Sequence, residues 1–336
     1  MRFSRREFII ACLGFLFWSG KKKAPFINTV NGAIPSTQLD KTLIHEHFLV
    51  DFIGADKINT TRWNRDEVIQ KVLPYLMEIK EVGVKSVFDC TPDFLGRDVL
   101  LLKMLAEKSG VQIITNTGYY GAVQNKYLPA WALSETGHQL ATRWIMEFNN
   151  GIAGTSIKPG FIKIGVDGGE ALSDTHKKLV HAAAKTHLKT GLTICSHTGS
   201  AKAAMEQLKI LHSLGVHPSA FVWVHAQSEF DKSYHVKAAS MGAWVSLDGI
   251  GWGDFDNYVD SLIRLKNEGL LNRVLISHDA GWFKPGEPMG GEFIGYTNIF
   301  NELMPRLLQK GFSESDFKTL LVVNPAEAMS IRVRKL

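Results

Sequence analysis

The sequence predicts a (β/α)8 barrel, an α/β fold of eight parallel strands alternating with helices. Three observations predict it. Short, apolar, β-rich segments recur along the chain, and most end in a polar residue of metal-ligand type. Helix-length stretches with apolar spacing near 3.6 lie between them. At 336 residues the chain is long enough for one such domain, which typically takes about 250.

Residues 1–24 stand apart from the barrel. Met1–Gly20 reads MRFSRREFIIACLGFLFWSG, a basic start followed by an apolar run from Phe8 to Trp18. The run is too short to span a bilayer comfortably. Ser4-Arg5-Arg6-Glu7-Phe8-Ile9 looks like a twin-arginine export signal, so a periplasmic protein is expected. An ordinary secretory signal or a short anchor is the alternative. Cys12 comes too early for a lipoprotein cleavage site, because most of the apolar run follows it. Residues 25–35 read as a linker and 36–333 as one barrel domain.

The first strand, Leu43–Asp51, carries His45 and His47 two positions apart. In a strand, residues i and i+2 face one side, so both imidazoles point to one place. Ser86–Pro92 and Gln112–Tyr120 follow as strands two and three, with Asp98–Ser109 as the helix between them. Strand four, Phe161–Asp167, contains Lys163 in an apolar run. Lysine is almost never fully buried without a partner. Strands five and six, Thr193–Gly199 and Phe221–Gln227, bring His197 and His225. Strands seven and eight are Trp244–Ile250 and Val274–Ala280, and Asp279 lies at the end of the second. Ser173–Thr190, Ala201–Leu214 and Tyr258–Gly269 read as helices. An open doubly wound sheet is the rival architecture. No Gly-x-Gly-x-x-Gly follows the first strand, which weakens its dinucleotide-binding form.

Parallel barrel strands deliver their C-terminal ends to one face, where active sites of this fold lie. Four histidines, a lysine and an aspartate would converge there. Imidazoles with a carboxylate suit zinc or a similar divalent ion. They are too many for one tetrahedral centre and about right for two. Two metals about 3.5–4 Å apart need a bridging anion. A lysine amine that has added carbon dioxide becomes a carboxylate able to serve.

The remaining composition is bland. Hydrophobic residues make 45% and charged residues 21%, a globular balance. The net charge of +5 is spread along the chain outside its two termini, with no basic stripe and interleaved aromatics. Nucleic acid is therefore not an expected partner. Cys90 and Cys195 fall on strands two and five and read as small core residues rather than a disulfide.

From about Thr42 to Met329 the chain resembles the phosphotriesterase family of the amidohydrolase superfamily. The resemblance rests on His45-Glu46-His47, Leu95-Gly96-Arg97-Asp98-Val99 and Thr117-Gly118-Tyr119-Tyr120. It rests also on Ile162-Lys163-Ile164, His197-Thr198, His225, His278-Asp279 and Asn324-Pro325-Ala326. It implies two divalent ions, expected to be zinc. His45, His47 and Asp279 would hold the more buried ion, and His197 and His225 the more exposed one. Carbamylated Lys163 and a hydroxide would bridge them. In that mechanism the hydroxide attacks, and Asp279 takes the proton toward solvent. Adjacent strand residues face opposite ways, so His278 reads as structural.

Departures from the family pattern bear on the substrate. Organophosphate hydrolases of the family carry an acidic residue three positions after the sixth-strand histidine. Here Ser228 stands there, with Glu229 next, and Gly249 follows Asp248 where relatives carry His or Arg. The proton relay of the phosphotriester enzymes is thus incomplete. Tyr120 matches the tyrosine that lactonase-like members place over the hydroxide. The expected substrate is a small lactone or carboxylic ester, with phosphotriesters as a promiscuous activity. Alternatives are a phosphotriesterase, phosphodiesterase or amidase of the superfamily, or an exported binding protein that has lost catalysis. A homodimer is the expected assembly, and the membrane is met only during export. The glycine- and aromatic-rich segment 281–296 could form a lid or a packed loop.

Overall fold

The computed structural model describes residues 25–336. The leader expected over residues 1–24 lies outside them. Among the described residues no helix is long and apolar enough to cross a membrane.

Strands one and two of the barrel are Thr42–Leu49 and Ser86–Asp89. Strand three runs through Gln112–Ile114 and Asn116–Thr117. Strands four to seven are Phe161–Gly165, Thr193–His197, Phe221–Val224 and Trp244–Leu247. Strand eight runs through Val274–Ile276 and Gly281–Phe283. Every neighbouring pair is parallel. The first half of strand eight pairs with strand seven, and its second half pairs with strand one through Gly281 and His47. That pairing closes the ring.

The helices lie where the apolar spacing places them, with side-chain caps at their starts. Val99–Ser109 begins after Asp98, whose carboxylate accepts from Leu101 N. Asp174–Thr190 begins after Ser173, and Ala201–Ser213 after Ser200. These caps satisfy backbone donors that a helix start otherwise leaves orphaned. The last of the four begins earlier than the spacing suggests, at Phe255, because Asp254 caps it. Arg65–Glu81 and Gly137–Asn150 are further helices, the second closed by a Thr136/Gln139 capping box.

Residues 25–35 are not a linker. Phe26–Thr29 and Gly32–Pro35 form an antiparallel hairpin, with Ile27 opposite Ile34. Ile27 is wholly buried among Ile44, Phe88, Phe161, Trp244 and Leu275. Phe161 and Trp244 open their strands, so the hairpin plugs the N-terminal end of the barrel. Val30 N–H donates to Ile113 O, and Ile331 N–H to Phe26 O. Burying one isoleucine contributes about 1.5–3 kcal/mol, which explains why the segment is not loose. The sequence signal was Asn31-Gly32 between apolar positions, with Gly32 at φ 119°.

Strands three and eight break where the site is built. Strand eight departs from its ladder at Ser277–Ala280, the stretch that carries Asp279. Asp279 N–H donates to His45 O at 2.9 Å, and His47 N–H to Ala280 O at 2.9 Å. The barrel therefore stays closed through irregular backbone. Gly118, at φ 115°, brings strand three against strand four so closely that a Cβ there would fall on the Lys163 carbonyl oxygen.

Candidate metal centre

The C-terminal strand ends open on a cavity of ≈ 480 Å³, counting the solvent space at its mouth. His45, His47, Lys163, His197, His225 and Asp279 all line it, together with Tyr120. Every site residue expected from the sequence is thus brought to one place.

Their reactive atoms converge. Asp279 Oδ1 lies 3.0 Å from His47 Nε2 and 3.4 Å from His45 Nε2, and Oδ2 lies 4.0 Å from His225 Nε2. Lys163 Nζ donates to His45 Nε2 at 3.1 Å. The Tyr120 hydroxyl is hydrogen-bonded to His197 Nε2 at 3.1 Å. The His45 and His225 rings are 5.1 Å apart, and those of His197 and His225 4.4 Å. Lys163 is only 2% exposed. Among the described residues no carboxylate lies within 4.0 Å of its amine, so an ordinary ion pair does not explain its burial.

The other ring nitrogens are held from outside. His47 Nδ1 meets Thr91 Oγ1 at 2.7 Å. Asp248 spans two imidazoles, with Oδ2 3.1 Å from His45 Nδ1 and Oδ1 2.8 Å from His225 Nδ1. An imidazole that donates Nδ1–H outward presents a free Nε2 lone pair inward.

Charge follows the same plan. Burial, aided by the Lys163 ammonium, pushes the His45 imidazole down to about 4. Burial, followed by the neighbouring His225, holds His197 well below its usual range. Both rings are therefore neutral at pH 7, the form that ligates. Burial drives the Asp248 carboxyl upward, but His225 and His45 outweigh it and keep it ionised. Burial likewise opposes ionisation of Asp279, and His45 and His47 hold it down at about 2.

The phosphotriesterase family model matches residues 25–329. The chain belongs to the phosphotriesterase family. It is 30% identical over 290 residues to a phosphotriesterase homology protein of Escherichia coli, covering 85% of this chain and 96% of that one. It is 28% identical over 309 residues to an aryldialkylphosphatase of Saccharolobus solfataricus, covering 89% and 97%. It is 26% identical over 349 residues to an N-acetyltaurine hydrolase of Xenopus tropicalis, covering 91% and 98%.

As a member of the phosphotriesterase family the chain is a hydrolase, and its donors fit a metal. Among the described residues two groups have atoms close enough to hold one: His45, His47 and Asp279, and His45, His225 and Asp248. They use opposite edges of His45. Asp248 is completely buried and occupied by two Nδ1 atoms and by His225 N–H, so it serves as the outer partner. The cavity side belongs to the Nε2 atoms, Asp279 and Lys163.

Several supporting residues escaped the sequence reading. Asp248 was seen only as the residue before Gly249, although its position at the end of strand seven was the same signal that picked out the other site residues. Glu46 and His278 form a buried pair at 2.8 Å that joins strand one to strand eight. Glu46 also accepts from Ser277 Oγ, His278 N and Ala280 N. His278 Nε2 accepts Ile299 N–H, confirming His278 as structural. Arg97 grips Glu147 with two nitrogens, at 2.7 and 3.0 Å, so the Gly96-Arg97-Asp98 motif builds the scaffold rather than the site. Cys90 and Cys195 are free thiols packed in the barrel interior.

The cavity wall above these donors is apolar. Val50, Phe52, Pro92, Leu95, Val123, Tyr127 and Trp282 form it. Segment 281–296 is a packed loop more than a free lid. Phe293 and Tyr296 are buried, and Tyr296 OH donates to His47 O at 3.0 Å.

Proposed function

We propose that this protein hydrolyses an uncharged lactone or carboxylic ester at a binuclear divalent metal centre, with zinc as the metal. His45, His47 and Asp279 would hold one ion and His197 and His225 the other, with Lys163, as a carbamate, supplying a shared carboxylate. The observation that carries the substrate reading is the Tyr120 hydroxyl, 3.1 Å from His197 Nε2 at the cavity side of the ligands. A phenol there can donate to an oxygen of a substrate bound beside that ligand.

When bound, the ions supply an electrophile and a water of lowered pKa. The protein's own groups do the rest. Asp248 and Thr91 keep the imidazoles of His45, His225 and His47 in the tautomer that leaves Nε2 free for a metal. The Asp279 carboxylate, ionised and 20% exposed, is the acceptor for the proton released on attack and passes it toward the mouth. Phe52, Tyr127 and Trp282 shield the reacting carbonyl from bulk water.

The wall supports a neutral substrate. Among the described residues Lys163 is the one lysine or arginine lining the cavity, and it sits among the converging histidines. An anionic amide such as N-acetyltaurine would have to set its charged end against this mostly apolar wall. A phosphotriester is neutral and remains the second reading. Against it, Glu229 accepts from Ala201 N and Asp231 N and is committed to the backbone rather than to a relay. Export through the N-terminal twin-arginine pattern, as a folded and metal-loaded protein, completes the proposal.

The test is a hydrolysis screen of purified, zinc-loaded protein against lactones, aryl esters, phosphotriesters and N-acetyltaurine. The expected result is highest kcat/KM on a neutral lactone or ester. Turnover confined to phosphotriesters or to N-acetyltaurine overturns the substrate reading.

A further inference from the structure

Asp279 is a non-glycine residue at φ 54°, in the left-handed region that side chains disfavour. Something must hold it there. Its carbonyl oxygen accepts two indole N–H groups, from Trp252 at 3.0 Å and from Trp282 at 3.0 Å. A carbonyl has two lone pairs, and both are used. The other end of the same peptide unit is also fixed, because Ala280 N–H donates to the buried Glu46 carboxylate at 3.0 Å. The Asp279–Ala280 peptide plane is thus held at its oxygen by the loop after strand seven and by the second half of strand eight, and at its nitrogen by strand one. The two indoles pack on each other at 5.5 Å, and Trp282 packs on Phe52 at 5.5 Å and on His47 at 5.9 Å.

We infer that Trp252 and Trp282 are positioning residues that clamp the Asp279 peptide through their indole N–H groups and thereby aim the Asp279 carboxylate into the metal centre. The geometry explains why two tryptophans stand at the rim, one of them 47% exposed. An exposed indole contributes little by burial, whereas its N–H closes the second lone pair of the carbonyl. Without the clamp the peptide can rotate toward the ordinary φ < 0 region. That rotation swings the carboxylate away from His45 and His47. Outer partners of ligands typically change metal affinity by about 10–100-fold when lost.

The inference rests on the metal-dependent reading of the site, and the experiment separates the two. Trp252→Phe, Trp282→Phe and the double variant keep an aromatic ring and remove only the donor. Trp131→Phe, a tryptophan packed against Phe94 and Tyr119 away from the cavity, serves as the control. Two quantities are read on the full chain. The first is zinc retention against a titrated chelator. The second is amide hydrogen exchange across residues 278–283 in the metal-free protein. Each single variant should release zinc several-fold more readily, and the double variant about 10–100-fold more readily. Exchange across 278–283 should rise in step, with Trp131→Phe matching the parent in both. A double variant that matches the parent in either quantity overturns the inference. If the parent itself retains no zinc, the proposed function fails, while the exchange measurement still decides whether the indoles hold the peptide.

Discussion

Asp248 grips His225 twice with one oxygen: Oδ1 accepts from the His225 backbone N–H at 3.0 Å and lies 2.8 Å from Nδ1. The backbone of His225 is left-handed, at φ 62°. One carboxylate therefore sets both the strained main chain and the ring orientation of a residue lining the candidate metal centre. Its second oxygen sets the ring of His45.

This arrangement predicts that Asp248→Asn damages metal binding without touching the cavity. An amide can serve one imidazole as an acceptor, but its NH2 opposes the other Nδ1–H. Metal affinity should fall about 10–100-fold, the usual cost of losing an outer partner. Equilibrium dialysis against zinc measures it. Unchanged affinity would mean that the two rings are held by packing alone.

Tyr120→Phe tests the substrate reading. The ring contacts to His197 and Tyr127, at 5.0 and 5.9 Å, survive the change. Only the hydroxyl goes. Removing one donor from a developing oxyanion typically costs about 10²–10³ in kcat, and a partly exposed phenol should sit at the low end or below it. The expected outcome is a kcat loss of about 10–100-fold on a lactone, with metal content unchanged. If the loss appears on phosphotriesters and not on lactones, the preference argued from this residue is reversed.

Lys163 gives the sharpest test of the bridge. Lys163→Ala leaves a buried gap beside His45 Nε2 where the proposal needs a negative charge. Metal content measured by elemental analysis should fall below the two ions per chain that the proposal requires, and activity by several orders of magnitude. A short carboxylic acid should restore part of both, since a free carboxylate fits the vacated place. Lys163→Arg should not be rescued, because its side chain keeps a permanent positive charge there. Near-normal metal and activity in Lys163→Ala would remove the lysine from the chemistry.

Most of the barrel was legible because its signals are local. Period-3.6 helices and short apolar strands can be read without knowing what they touch, and the strand-end rule then gathers His45, His197, His225 and Asp279 on one face. The unread parts depend on distant partners. Asp248 acts only through its nearness to His45, 203 residues away in the chain. Glu46 acts only through strand eight, and its partner His278 lies 232 residues away. The hairpin at Phe26–Pro35 was mistaken for a linker because four-residue strands carry little periodicity. What identifies it is the plug that it forms under Ile44 and Phe88. The breaks in strands three and eight also escaped notice, since residues such as Asp279 look like ordinary strand ends until the closing pairing to His47 is seen.

Asp89 yields a pH prediction. It is 2% exposed, beneath the cavity on strand two, and accepts Phe48 N–H at 3.2 Å. Burial pushes its carboxyl up to about 7, from 3.8 in an unfolded chain. Between those values the folded protein keeps a proton that the unfolded chain has released. Its contribution to stability is therefore fully present below about pH 4 and is lost as pH rises through 7. Asp89→Asn retains a carbonyl oxygen for Phe48 N–H and cannot ionise. Relative to the parent it should gain stability across this window by at most about 1.4 kcal/mol per pH unit, and then level off. Urea unfolding of the metal-free proteins at intervals from pH 5 to 8 measures the difference. Metal must be absent, because an ion bound in the cavity would add a pH-dependent stability of its own. Parallel stability curves for the two proteins would show that the buried carboxyl ionises in the folded state as readily as in water.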